Sequence, residues 1–271
     1  MPEETDTSSK NKSGDAKISC IMVTANRKHL MKRSIKCFNN QDYSNKELVV
    51  VDDGEQDLTE ALEAVPDGQL NYVKLEPSED NTLGKLRNVS LQEANGDYLV
   101  QWDDDDWYHP ERISIQASYL DDGYDACCLS GALMHLDTPE FVLHPYVGKL
   151  PEGIPGSIMH RNDTSISYPH TRRAEDTVFL KEWMERNYIQ LPDKYSHLFI
   201  RCYHGNNTWE QEHFLRRIRN SPIDLVTYAW HKFIRGNLFN HYKFQLSEEA
   251  QEAFEMYLDD SKEFGLVDTA S

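Results

Sequence analysis

Apolar and polar positions alternate with two different periods along the first 120 residues, and the alternation predicts a repeated strand–helix order. Ile18–Thr24 is a mostly apolar run of strand length, closed by Ala25, Asn26 and Arg27. From Lys28 to Asn40 the apolar residues Met31, Ile35 and Phe38 fall at i, i+4 and i+7, one face of a helix. A second strand, Leu48–Val51, ends in Asp52, Asp53 and Gly54; a short helix over Leu58–Val65 stops at Pro66-Asp67-Gly68. Leu70–Leu75 alternates like a strand. Leu83–Ala94 carries Leu83, Leu86, Ser90 and Leu91 on one side, and Asn95-Gly96-Asp97 ends it. Tyr98–Trp102 is a strand that runs directly into Asp103–Asp106, and a helix follows over Pro110–Leu120. This β-α-β-α-β-α-β-α order implies a largely parallel sheet covered on both faces. Right-handed crossovers then bring the strand ends at Thr24, Asp53 and Asp103 to one side.

The pattern changes in the second half. Asp125–Leu136 and Phe141–His144 read as strands, followed by a Gly- and Pro-rich loop through Gly156. An amphipathic helix opens within Arg172–Leu180 with Glu175 and Asp176 in its first turn, where the helix dipole favours acids. Ser196–Cys202 reads as a strand leading into Tyr203-His204-Gly205-Asn206-Asn207-Thr208-Trp209, and the chain beyond Glu210 is helical. The expected division is a disordered polar tail over 1–17, a first half over 18–122, a second half over 123–218, and a helical extension over 219–271.

Composition narrows the function class. With 271 residues and 39% hydrophobic content the chain can bury a sizeable core. Its net charge of −18 argues against an extended nucleic-acid face, although Arg216, Arg217 and Arg219 make a local basic patch. Five cysteines without Cys-x-x-Cys spacing read as buried reduced thiols and a cytoplasmic location. No apolar run is long enough for a membrane span.

The acidic run carries the chemistry. Two unit charges about 4 Å apart repel by about 4 kcal/mol at an effective dielectric of about 20, so four carboxylates at the end of a buried strand need donors or a cation. Hard divalent cations that bridge phosphate oxygens use such ligands, often only one or two from the protein. A second strand ending in acids at Asp52 and Asp53 points to a shared edge, where open α/β sheets bind ligands. The residues therefore read as a metal–nucleotide site.

Val23-Thr24-Ala25-Asn26-Arg27, Glu47–Gly54, Thr82–Asn88, Gly96-Asp97-Tyr98 and Trp102–Pro110 together resemble the family 2 GT-A glycosyltransferases, in order and spacing. The resemblance covers residues 18 to about 120 well and extends loosely to about 210. It implies a GT-A fold: a Rossmann-like, mostly parallel sheet flanked by helices, with a smaller acceptor-binding half. It implies inverting transfer of a sugar from a nucleotide diphosphate donor, with UDP favoured because Asp53 can accept from the base N3–H. By the same resemblance Thr24, Asn26 and Arg27 lie near base, ribose or phosphate, Arg87 pairs with the diphosphate, and Asp103 or Asp104 touches ribose. Asp105 binds Mn²⁺ or Mg²⁺; since the family's Asp-x-Asp is here an unbroken run of four, the register stays open by one residue.

In the second half the resemblance makes Asp176 the general base, with Glu175 binding acceptor or supporting it, and His204 a metal ligand. Trp107, Asn206 and Trp209 are expected to line the acceptor or leaving-group pocket. The acceptor, whether saccharide, peptide or other small molecule, is not legible, and the C-terminal helices suggest a homodimer. Two other readings stay open: a non-catalytic GT-A module that binds nucleotide or sugar, and a nucleotidyltransferase. The nucleotidyltransferase would need a Gly-rich basic loop after the first strand, which Ala25-Asn26-Arg27 lacks.

Overall fold

The first four strands form a parallel array, three of them buried on both faces and the third, Leu70–Lys74, an alternating strand at the sheet edge. β1 (Ile18–Thr24) pairs along its whole length with β2 (Lys46–Asp52), which pairs with β3 (Leu70–Lys74), while β4 (Tyr98–Gln101) flanks β1 on its other side. The computed structural model describes residues 16–207 and 209–267. Alternate residues of these strands feed different cores. Cys20, Met22, Leu48, Val50 and Val100 pack with Met31, Ile35 and Phe38 of α1 (Lys28–Asn39), whereas Ile21, Val49 and Leu99 pack beside Leu91 of α3 (Leu83–Glu93). Between these helices, α2 is a single turn at Thr59–Leu62, shorter than the Leu58–Val65 expected.

The sheet continues beyond β4 through β9 (Met159–Arg161), β6 (Ala126–Leu129) and β10 (Tyr188–Leu191), giving seven strands in the order 10-6-9-4-1-2-3. Only β9 runs against the others, being antiparallel to both β4 and β6. A second sheet of four strands has the order 5-11-7-8: β5 (Trp107–Tyr108), β11 (Phe199–Tyr203), β7 (Gly131–Leu136) and β8 (Tyr146–Lys149). The helices α4 (Arg112–Asp121), α5 (Glu175–Met184), α6 (Gln211–Leu215), α7 (Pro222–Ala229) and α8 (Glu248–Glu263) complete the order.

Several expectations need correction. Asp125–Leu136 is two strands in different sheets, broken at Ser130. Phe141–His144 is a turn, closed by Val142 N to Thr138 O and His144 N to Phe141 O at 2.9 and 2.8 Å. Phe141 and Val142 are apolar because they are buried, so the strand lies downstream at Tyr146–Lys149. Residues Asp193–Leu198 form a 3₁₀ turn after Pro192, which delays β11 to Phe199. Of the disordered tail expected over 1–17, residues 1–15 lie outside the described residues, but Lys17 is fixed: its N–H donates to Asp97 at 2.8 Å and its ammonium pairs with Glu47.

The C-terminal helix α8 belongs to the main core. Its Ala250, Ala253, Phe254 and Tyr257 pack into the same cluster as β1 and α1. Arg33 of α1, 2% exposed, is the tie: it donates to Ser261 Oγ at 2.9 Å and to the Asp105 carbonyl at 2.6 Å, with its guanidinium 5.0 Å from the Tyr257 ring. All five cysteines, Cys20, Cys37, Cys127, Cys128 and Cys202, are buried and unpaired with one another.

Candidate functional site

The ends of β1, β2 and β4 converge, as the topology requires, on a cavity of about 400 Å³ lined by Thr24, Arg27, Asp53 and all four aspartates of the run. Each aspartate has its own donors, which resolves the repulsion expected from the sequence. Asp103 accepts from Gln101 at 2.9 Å and from Arg87 at 3.0 Å. Asp104, buried, accepts from Thr24 Oγ1 at 2.6 Å and pairs with Arg27 at 3.3 Å. Asp106 turns inward and accepts from the Cys202 N–H at 2.9 Å.

Asp105 has the most varied surroundings. Its Oδ2 lies 3.1 Å from Arg27, 3.3 Å from His204 Nε2 and 3.4 Å from Asn207 Nδ2. Burial favours the neutral acid, but the His204 and Arg27 contacts outweigh it and hold Asp105 below the ordinary carboxylate range. Asp104 and Asp106 shift the other way, raised first by burial and then by the Asp105 charge. The run thus contains one carboxylate kept ionised and two neighbours made less willing to ionise.

Asp105 of the cavity wall and the part-buried His204, from a separate element and 3.3 Å away, suit a divalent cation that takes its remaining ligands from diphosphate oxygens or water. His204 is held by its backbone: its N–H donates to Asn207 Oδ1 at 2.8 Å, and Gly205, at φ +85°, makes the turn between them. A second group, His109, Glu111 and His197, also has ligand atoms within 4.8 Å of one another, but none of the three lines the cavity.

The second half brings Glu175 and Asp176 to the same cavity. Ala174, directly before them, sits in the left-handed region at φ +61°, a conformation that is uncommon for a residue with a side chain. This turn starts the helix at Glu175, with both acids in its first turn as expected and on the cavity wall. Asp176 Oδ1 accepts from the Thr177 N–H at 2.7 Å and from its hydroxyl at 3.3 Å. Glu175, 3% exposed, pairs with Arg87 at 3.4 Å, and burial raises its pKa despite that cation.

Arg87 therefore does not stand as a free phosphate-binding cation. It is locked between Asp103 and Glu175 over the Tyr168 ring, and joins the two halves of the chain. The cavity's uncommitted cations are Arg172, Arg173 and Arg201, none with a carboxylate within ion-pair distance among the described residues. Arg172 Nη2 donates to the Glu79 carbonyl at 2.6 Å, and Arg173 lies 5.5 Å over Trp209. Adjacency to Glu175 was the one sequence signal for the first two; Arg201, inside an apolar strand, gave only its own charge as a signal.

Three other expectations are corrected. Trp107 is 1% exposed within β5, its Nε1 donating to Asp260 at 2.7 Å, so it is core rather than pocket. Asn26, at φ +57°, uses its side-chain oxygen to accept from the Glu55 and Gln56 N–H groups at 2.7 and 3.1 Å, and it braces the loop after β2 without lining the cavity. Asn206 is exposed and offers its carbonyl to Arg27; the neighbouring Asn207 faces the cavity, one residue on, while Trp209 lines it as expected. Asp52 is buried and bonded to Gly54, Tyr72 and Lys74, which leaves Asp53 as the cavity acid of that pair. Burial raises the Asp53 pKa, against a hydrogen bond from Asn81, another cavity residue the sequence did not mark.

Residues 19–216 match the family model described as Glycosyl transferase family 2. Among relatives, the putative colanic acid biosynthesis glycosyl transferase WcaA of Escherichia coli (strain K12) is 35% identical over 101 residues, 36% of each chain. The cholesterol galactosyltransferase of Borreliella burgdorferi is 29% identical over 99 residues, 36% of this chain and 28% of its own. These alignments span about a third of the relatives' length. Among solved structures, S. aureus TarS 1-349 in complex with UDP-GlcNAc superimposes with a TM-score of 0.56 at 20% identity, covering 93% of this chain and 84% of that one. The mannosyltransferase PcManGT from Pyrobaculum calidifontis, in complex with GDP-Man and Mn²⁺, gives 0.54 at 18% identity, covering 92% and 82%. These likenesses concern the fold. With the family model matching most of its length, the chain belongs to glycosyl transferase family 2 and has the GT-A fold.

Proposed function

We propose that this glycosyltransferase moves a sugar from a UDP-sugar to an acceptor hydroxyl with inversion, assisted by Mn²⁺ or Mg²⁺, with Asp176 as the general base. The observation that carries the reading is Asp105, in the same cavity wall as Asp53 and Asp176, meeting the adjacent part-buried His204 at 3.3 Å. Asp53, on the β2 end, accepts a hydrogen bond from the base, a contact that uracil N3–H satisfies. Asp105 and His204 hold the cation, which when bound supplies Lewis-acid stabilisation of the departing diphosphate. Arg172, Arg173 and Arg201 supply the fixed positive charge around that diphosphate. Asp176 takes the proton from the acceptor hydroxyl as it attacks, its Oδ1 oriented by Thr177. Glu175 positions Arg87 and the helix start, and Trp209 gives the acceptor an aromatic wall. The neighbours' UDP-GlcNAc and GDP-Man complexes support a nucleotide sugar and disagree on the base.

Thermal stabilisation by UDP, dTDP, GDP and CDP, each with and without Mn²⁺, tests the donor site. Metal-dependent stabilisation by UDP, lost in Asp105→Ala, is expected; stabilisation by GDP alone would overturn the uridine assignment. Asp176→Asn is expected to keep UDP binding and to lower the turnover of donor by at least about a hundredfold. An Asp176→Asn enzyme with unchanged turnover removes Asp176 as base.

A further inference from the structure

The helical segment from Pro222 to Ile234 is inside-out. Its outward stripe is apolar: Ile223, Val226, Trp230, Phe233 and Ile234 fall at i, i+3, i+7, i+10 and i+11, one face of a helix, and all are exposed, Ile223 and Phe233 to 72%. Its inward stripe is polar. Asp224, 3% exposed, is ion-paired with the buried Lys243 at 2.8 Å and hydrogen-bonded by Tyr242. Thr227 contacts His241 Nε2 at 2.9 Å. Ser221 caps the start, with Pro222 in the first turn, and the last turn, Trp230–Ile234, widens to a π-helix that keeps Phe233 and Ile234 on the stripe. A helix that satisfies its polar residues inward and presents five large apolar ones outward has a second apolar medium to meet.

Charge identifies that medium. Residues 216–235 carry Arg216, Arg217, Arg219, Lys232 and Arg235 against the single acid Asp224, within a chain of net charge −18. Asp224 is neutralised by Lys243 and Arg219 pairs with Glu212, which leaves Arg216, Lys232 and Arg235 as exposed cations without a carboxylate partner among the described residues. We propose that this segment docks the protein onto an anionic lipid surface, with the apolar stripe entering the headgroup–acyl boundary and the basic residues meeting lipid phosphates. A second copy is a poorer occupant, because a two-fold contact of the segment with itself would bring its basic residues together. No helix among the described residues is long and apolar enough to cross a membrane, and a helix lying in the interface requires none. The proposal is independent of which donor or acceptor the cavity takes.

Co-sedimentation of the full chain with vesicles of phosphatidylcholine alone, or of phosphatidylcholine with phosphatidylglycerol, tests it. Binding is expected only to the anionic vesicles, and to weaken with added salt. Val226→Ser with Phe233→Ser, and separately Lys232→Glu with Arg235→Glu, should each lower that binding at least about tenfold. Thermal melting of both double variants, expected to match the parent because all four residues are exposed, separates docking from misfolding. Absence of vesicle binding, equal binding to neutral vesicles, or parent-like binding by both double variants would overturn the proposal. So would a dimer in sedimentation velocity that the Val226 and Phe233 substitutions dissolve while vesicle binding is absent, since the stripe would then belong to a second copy.

Discussion

Single residues in this cleft work through the partners that fix them. Arg87 illustrates it: one guanidinium compensates Asp103 from the β4 end and Glu175 from α5, and is itself buried. Arg87→Ala would leave two carboxylates facing each other without a cation, and a stability loss of about 3–5 kcal/mol is expected from denaturant melts. Arg87→Ala combined with Glu175→Gln should recover part of that loss, because one orphaned charge is removed as well. Topology brought the strand ends carrying Asp53 and the aspartate run to one side, whereas Asp176 and His204 were marked only by the family resemblance. The sequence did not mark which way neighbouring side chains turn. Asn206 and Asn207 exchange parts because a loop has no period to choose between adjacent residues, and Asn26 braces the chain because backbone N–H groups, invisible in the sequence, needed an acceptor. Arg27 forms part of the site by pairing with both Asp104 and Asp105.

At the scale of elements, the first half was legible because strand and helix periods there are unbroken, and β1, β2 and β4 are buried on both faces while the edge strand β3 alternates. The second half was less so. Short strands such as β8 and β9 have four and three residues, too few for a period to register, and β9 reverses direction without a signal in its composition. The contact between α3 and the loop before α5 is set by Gly84: a Cβ there would lie 1.9 Å from the Pro169 carbonyl oxygen, and the Gly84 N–H donates to Thr171 O at 3.1 Å. Gly84→Ala must separate these elements. A loss of about 1–3 kcal/mol in thermal or denaturant melts is expected, together with weaker UDP binding as Arg172 and Arg173 retreat from the cavity. A Gly84→Ala protein with the parent's melting point would show that this close approach is not maintained in solution.

For the whole molecule, acidity acts through buried imidazoles. His135 and His160 are both held down to about 4, chiefly by burial. The unfolded chain takes up protons on these groups near pH 6.5, while the folded chain stays neutral until far lower. Stability therefore falls with falling pH between roughly 6.5 and 4, by up to about 1.4 kcal/mol per pH unit for each group. Thermal melts across that window should show a shallower slope for His160→Phe, whose ring can occupy the place between Phe179 and Trp183. The same interior that excludes protons also excludes reagents from the cysteines. Cys20 in β1, Cys37 in α1, Cys127 in β6 and Cys202 in β11 are each pushed up to about 12 by burial, and Cys128 higher still. A thiol in that state reacts with an alkylating reagent only when its own element opens. The chain thus carries a set of internal clocks, spread over both sheets and one helix, and the order in which they are struck records the order in which the fold comes apart.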